Sequence, residues 1–105
     1  MNEPVLLVID VGNTNVALGV YDYQNGESTL SHHWRVSTHR EQTSDELVIT
    51  LSSLFATEGR NTNEITDVIL SSVVPPVVPI WERVSTKLFG NPPSIVGPGI
   101  RTGMP

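Results

Sequence analysis

The chain has no cysteine among its 105 residues, which removes disulfides, thiolate nucleophiles and zinc–thiolate sites together. Positive charge is scarce as well. Six Lys+Arg stand against 11 Asp+Glu, for a formal net charge of -5. No Lys/Arg cluster offers the basic footprint that nucleic acid or an anionic membrane requires, so neither is an expected partner. Long apolar runs are also missing. The first, Val5 to Ile9, stops at Asp10 and follows Glu3 rather than a basic segment. It is too short and wrongly flanked for a signal peptide or a membrane span, and cytoplasmic residence is the expectation. The length suits a single domain over residues 1–105, with no linker or internal repeat dividing it.

What is present reads as an α/β pattern. Val5 to Val11 is a continuous apolar run that suits a strand buried on both faces. Val16 to Tyr21 is β-rich and pairs with it as a hairpin. Asn25-Gly26 is a strong signal for a second hairpin turn, and Leu30 to Val36 follows as a third strand with Leu30, His32, Trp34 and Val36 on one face. The period then lengthens. Thr43 and Glu46 have the spacing of a capping box, and Leu47, Val48, Leu51, Leu54 and Phe55 form one helical stripe closed by Gly59. Asp67 to Val74 is a further strand, ended by Pro75-Pro76. Val77, Ile80, Trp81, Val84 and Leu88 share a helical face, with Pro79 in the first turn and Gly90 at the end. Ser94 to Val96 is a last short strand before Gly97-Pro98-Gly99. The order is β-β-β-α-β-α-β, a mixed sheet with helices packed over it.

The segment Asp10-Val11-Gly12-Asn13-Thr14-Asn15 carries the chemistry. Gly12 lacks a Cβ, which lets main-chain N–H groups approach phosphate oxygens and leaves positive φ open to it. Asn13, Thr14 and Asn15 can each donate a side-chain hydrogen bond. Asp10 repels phosphate, and its natural partner is Mg²⁺ held through water, because magnesium keeps most of its waters and takes few carboxylates. On the motif alone a plain hairpin turn accounts for the same residues equally well. No Gly-Lys-Ser/Thr follows, so this is not a P-loop.

That segment resembles the first phosphate motif of the acetate and sugar kinase, chaperone ATPase and actin superfamily. More narrowly, the chain is similar to the N-terminal part of type III pantothenate kinases. The similarity runs through Leu7 to Asn15, His33-Trp34-Arg35-Val36-Ser37-Thr38, Ser71 to Pro76 and Val96 to Pro105. It implies a ribonuclease-H-like domain, the N-terminal domain of the actin-like ATPase fold. It further implies that Asp10, Val11, Gly12, Asn13, Thr14, Asn15, Val16 and Ala17 contact ATP, with Asp10 organising magnesium. The implied reaction moves the ATP γ-phosphoryl group to pantothenate, giving 4′-phosphopantothenate on the way to coenzyme A. A monovalent cation (potassium or ammonium) and a homodimer are implied too. In the family a Gly-Ala-Asp-Arg motif, whose Asp serves as base, and a second domain follow the Gly-Met-Pro segment. The chain is therefore expected to be an N-terminal portion, inactive alone, with no catalytic base of its own and with one sheet face uncovered. A non-catalytic accessory or regulatory relative of these kinases is the alternative.

Other residues invite roles that cheaper explanations absorb. His32 and His33 are neighbours on a strand, face opposite sides and cannot share one ion; His39 has no metal-spaced partner. Asp45 and Glu46 read as helix-capping carboxylates rather than a catalytic pair. Trp34 and Trp81 read as core or interface anchors; Arg35 and Arg40 could meet a phosphate or carboxylate, and solvated surface is the simpler role. Ser71 and Ser72 end a strand, where a cleft-lining role and a structural one are equally good. Gly97-Pro98-Gly99 needs no ligand to justify its turn.

Overall fold

The computed structural model describes residues 3–97; most of the Val96 to Pro105 stretch, including Pro98-Gly99, lies outside them. Five strands and two helices alternate as the sequence order requires: β1 (Val5–Val11), β2 (Asn15–Gln24), β3 (Glu27–Ser37), α1 (Ser44–Thr57), β4 (Asp67–Ser72), α2 (Val78–Phe89) and β5 (Ser94–Val96). Short 3-10 turns at Thr62–Glu64 and Pro75–Val77 precede β4 and α2. The strands form one sheet in the order β3-β2-β1-β4-β5, antiparallel within the hairpins and parallel from β1 through β4 to β5.

Local chemistry accounts for the element ends. Asn25 (φ 53) and Gly26 (φ 81) both lie in the left-handed region, as the turn twisted to match a two-residue hairpin demands. Thr43 caps α1 through a complete capping box with Glu46. At the other end Gly59 (φ +70) lets Arg60 N–H reach Phe55 O at 2.9 Å and Gly59 N–H reach Ala56 O at 3.0 Å, the paired bonds that close a helix through a left-handed residue.

One face of the sheet holds the core. Leu7, Ile9 and Val11 of β1, Val16, Leu18 and Val20 of β2, and Val68 and Leu70 of β4 meet Leu51 and Phe55 of α1 and Trp81 and Val84 of α2, all at most 3% exposed. An aromatic column crosses the layers, with ring centroids 5.1 Å apart for Trp34–Phe55 and 5.8 Å for Phe55–Phe89.

Two expectations fail here. β1 is not buried on both faces: Leu6 and Val8 are half-buried and Asp10 is exposed, because both helices pack on the opposite side. Leu30 does not share a face with His32, Trp34 and Val36. The register jumps from Val20↔His32 to Tyr21↔Leu30, so Ser31 is an extra residue in β3. That bulge reverses the alternation and turns Leu30 to the open face, where it is 46% exposed. Leu6, Val8, Tyr21, Tyr23, Ile69 and Val96 line a trough of about 660 Å³ on that face.

Candidate phosphate-binding site

β1 is the strand at which the chain's directions divide, antiparallel to β2 on one side and parallel to β4 on the other. Ligands of open α/β sheets gather outside the carboxyl ends of strands at such a point, and the Asp10–Asn15 turn sits there. The 660 Å³ trough lies further along the open sheet face and contains none of these residues. The turn is the candidate on its chemistry rather than on cavity size, since the trough's lining carries Asp67 and no Lys or Arg.

The turn is held rigidly. Gly12 N–H donates to Asn15 O at 2.9 Å, closing the hairpin around Asn13 and Thr14. A Cβ at Gly12 would stand 3.1 Å from that same carbonyl oxygen. A side chain at this position would thus press on the closure of the turn itself. Its φ is not positive and its own N–H is spent within the hairpin, so the approach to an anion falls to Asn13 and Thr14. Among the described residues their main-chain amides make no hydrogen bond, and both residues are exposed.

The side chains are arranged as donors. Asn15 Nδ2 donates to Thr14 Oγ1 at 3.2 Å, which leaves the Thr14 hydroxyl proton free to point outward. Arg40 Nη2 donates to Asn13 Oδ1 at 3.2 Å, so the Asn13 amide nitrogen faces away from the guanidinium with its protons available. The segment after β3 straps the turn from below. Thr38 N–H reaches Thr14 O at 2.9 Å, and Thr38 Oγ1 donates to Gly12 O at 2.9 Å.

Asp10 is exposed at the end of β1 and has no side-chain partner among the described residues. Its strand neighbours are Ala17 and Ser71, and Arg35 lies one strand beyond Ala17, so the row Ser71, Asp10, Ala17, Arg35 crosses the open face. Val11 and Val16 send their side chains into the core, 0% and 2% exposed, which leaves their main chain as the part that could meet a ligand.

The remaining candidates separate cleanly. Ser72 Oγ donates to Val74 O at 3.1 Å and accepts Val74 N–H at 2.9 Å, a local bond that ends β4 before Pro75. Ser71 shares the open face with Asp10. Glu46 is occupied by the capping box, and Asp45 lies 3.5 Å from Lys87 Nζ. His32 Nδ1 is 3.6 Å from Glu58 Oε1 and its ring stacks on Trp34. Among the described residues no three His, Asp or Glu side chains converge on one point. Sequence reasoning missed Thr38, the bond from Arg40 to Asn13 and the constraint on Gly12, because each depends on which segment folds back under the turn.

Known proteins resemble the chain in both sequence and fold. The family described as "Type III pantothenate kinase" matches residues 6–105. The chain is 52% identical over 101 residues to a type III pantothenate kinase of Geobacter sulfurreducens, covering 96% of this chain and 38% of that protein. Against the one of Exiguobacterium sibiricum it is 47% identical over 100 residues, covering 95% and 38%. The chain thus spans about two fifths of the length of the curated relatives it matches. Solved structures support the fold alone. A Thermus thermophilus RuvC bound to a Holliday junction has a TM-score of 0.58 at 16% identity, covering 90% of this chain and 66% of that one. YeaZ from Pseudomonas aeruginosa gives 0.57 at 12%, covering 90% and 44%. An Aquifex aeolicus PPX-GPPA enzyme gives 0.53 at 15%, covering 90% and 36%. These are ribonuclease-H-like and actin-like ATPase folds. With that fold, about 50% identity to these relatives and a family match from Leu6 onward, the chain belongs to the type III pantothenate kinase family.

Proposed function

We propose that this chain supplies the phosphate-gripping wall of a cleft in which the ATP γ-phosphoryl group passes to pantothenate, giving 4′-phosphopantothenate. The observation that carries the reading is the Asn13–Thr14 turn, whose two unspent amides and two outward donors sit in a chain matched to this family along nearly its whole length. Phosphoryl transfer asks a protein chiefly to position the phosphates and stabilise their charge, and this turn is suited to both tasks. Asn13, Thr14 and Asn15 would hold phosphate oxygens, and the chain of Asp10, Val11, Gly12, Val16 and Ala17 would fix the turn's place at the sheet end.

The donor set fits a magnesium nucleotide. Asp10 is a lone, exposed carboxylate without a partner among the described residues, which suits an ion that takes few protein ligands and keeps its waters. When bound, the magnesium would neutralise charge on the transferring phosphates. The base that takes the pantothenate hydroxyl proton is assigned by family resemblance to the Asp of the downstream motif. The same resemblance supports residues 1–105 as part of a first domain, a potassium or ammonium requirement, a homodimer and a cytoplasmic enzyme. No described helix is long and apolar enough to cross a membrane.

The test is ADP release by the intact protein with and without pantothenate. Release that requires pantothenate, with 4′-phosphopantothenate as product, is the expected result. ATP binding without turnover would favour the non-catalytic accessory alternative.

A further inference from the structure

We propose that Arg40 is a direct ligand of the nucleotide polyphosphate, the cation that the turn itself lacks; this rests on the kinase reading above. The turn offers neutral donors, stands beside Asp10 and belongs to a chain of net charge -5. A polyphosphate brought there needs compensating positive charge from the protein as well as from its metal.

Few cations can supply it. Arg60 is committed to Asp22 and Glu64 and Lys87 to Asp45. Arg83 lies on α2, Arg35 projects from β3 in the row beyond Ala17, and Arg101 falls outside the described residues. Arg40 is the cation the fold brings onto the turn, through Nη2 to Asn13 Oδ1 at 3.2 Å.

The approach is built in. The connection carrying Arg40 is pinned at one end by the two Thr38 bonds to the turn. At its other end the Thr43–Glu46 capping box fixes it, and Gln42 N–H bonds His39 O across its middle at 3.2 Å. A single exposed bond to a neutral amide adds little to stability, so the fold does not need the guanidinium there. Among the described residues no carboxylate pairs with it. One of its N–H donors is used and the rest remain, in the planar fork that fits phosphate oxygens. Arg40 also lines an open recess of about 600 Å³.

The experiment uses the full-length enzyme as wild type, R40Q and R40K, and R40Q combined with N13A. Titration calorimetry gives the Kd for Mg-ATP, and steady-state assays give KM for ATP and for pantothenate. R40Q is expected to raise the Kd and KM for ATP about tenfold to a hundredfold, with the pantothenate KM and thermal midpoint unchanged. R40K should recover part of the loss, and the R40Q penalty should persist in the N13A background. An ATP Kd in R40Q equal to wild type overturns the proposal. So does a penalty that vanishes in N13A, since Arg40 would then act by orienting Asn13. If wild type fails to bind ATP, the kinase reading falls too; if wild type is active and R40Q matches it, this proposal alone falls.

Discussion

Replacing Arg60 with glutamine should destabilise the fold by a pH-dependent amount. Arg60 follows the glycine-closed end of α1, and its guanidinium grips Asp22 of β2 with two bonds of 3.0 Å, Nη1 to Oδ2 and Nη2 to Oδ1. Its Nε donates to Glu64 at 2.8 Å, and Ser31 at the bulge also donates to Asp22 Oδ2. The side chains of Arg60 and Asp22 are 18% and 29% exposed. A fully exposed pair would contribute about 0.2–1 kcal/mol, and breaking a fully buried one would cost about 3–5 kcal/mol. The intermediate burial and bidentate geometry place R60Q at about 1.5–2.5 kcal/mol at neutral pH. The bond from Arg60, then that from Ser31, holds the Asp22 carboxyl below its ordinary 3.8. Its folded value is therefore the lower of the two, so the stabilisation is complete above 3.8 and fades as pH falls through the folded value. Urea unfolding of wild type and R60Q across that range measures the difference. It should shrink in acid, and R60Q should cost less in a D22N background. An R60Q penalty that holds its full size well below the ordinary carboxylate range would refute the reasoning.

Two further outcomes follow from single side chains. Ser85 is 0% exposed on α2, and its hydroxyl has no hydrogen-bond partner among the described residues; S85A should therefore raise stability by about 0.5–1 kcal/mol, and a thermal scan showing a clear loss would reveal a bond to that hydroxyl. T38V keeps the shape of Thr38 but removes the donor to Gly12 O, so KM for ATP should rise about threefold to tenfold while KM for pantothenate stays fixed. Equal KM values for ATP would remove the strap from the account.

The pattern of elements was legible because local chemistry and tertiary placement agree. Asn25-Gly26 dictates its hairpin, and Thr43 with Glu46 dictates the start of α1. The bulge at Ser31 was not legible. Leu30-Ser31-His32 alternates as a regular strand would, and the extra residue shows itself when β3 is laid against β2. The uncovered side of β1 was hidden for a related reason, since Leu6 and Val8 are as apolar as Leu7 and Ile9. At the proposed site the sequence drew attention to the turn, and the fold adds a local constraint on its glycine, whose N–H bonds Asn15 O. Arg40 could, on sequence alone, meet a phosphate or carboxylate, with solvated surface the simpler role. It is exposed, as expected, but its bond to Asn13 spans 27 positions in the chain, beyond any local pattern.

The central claim is that Asp10 stands at a magnesium–nucleotide site on this turn, and D10N in the intact protein tests it most directly. The substitution preserves shape, and Asp10 is exposed and without a partner among the described residues, so the thermal midpoint should not move. Turnover of ATP with pantothenate should fall about a hundredfold or more, the scale of losing one charge-stabilising group. Unchanged turnover with an unchanged fold would contradict the claim.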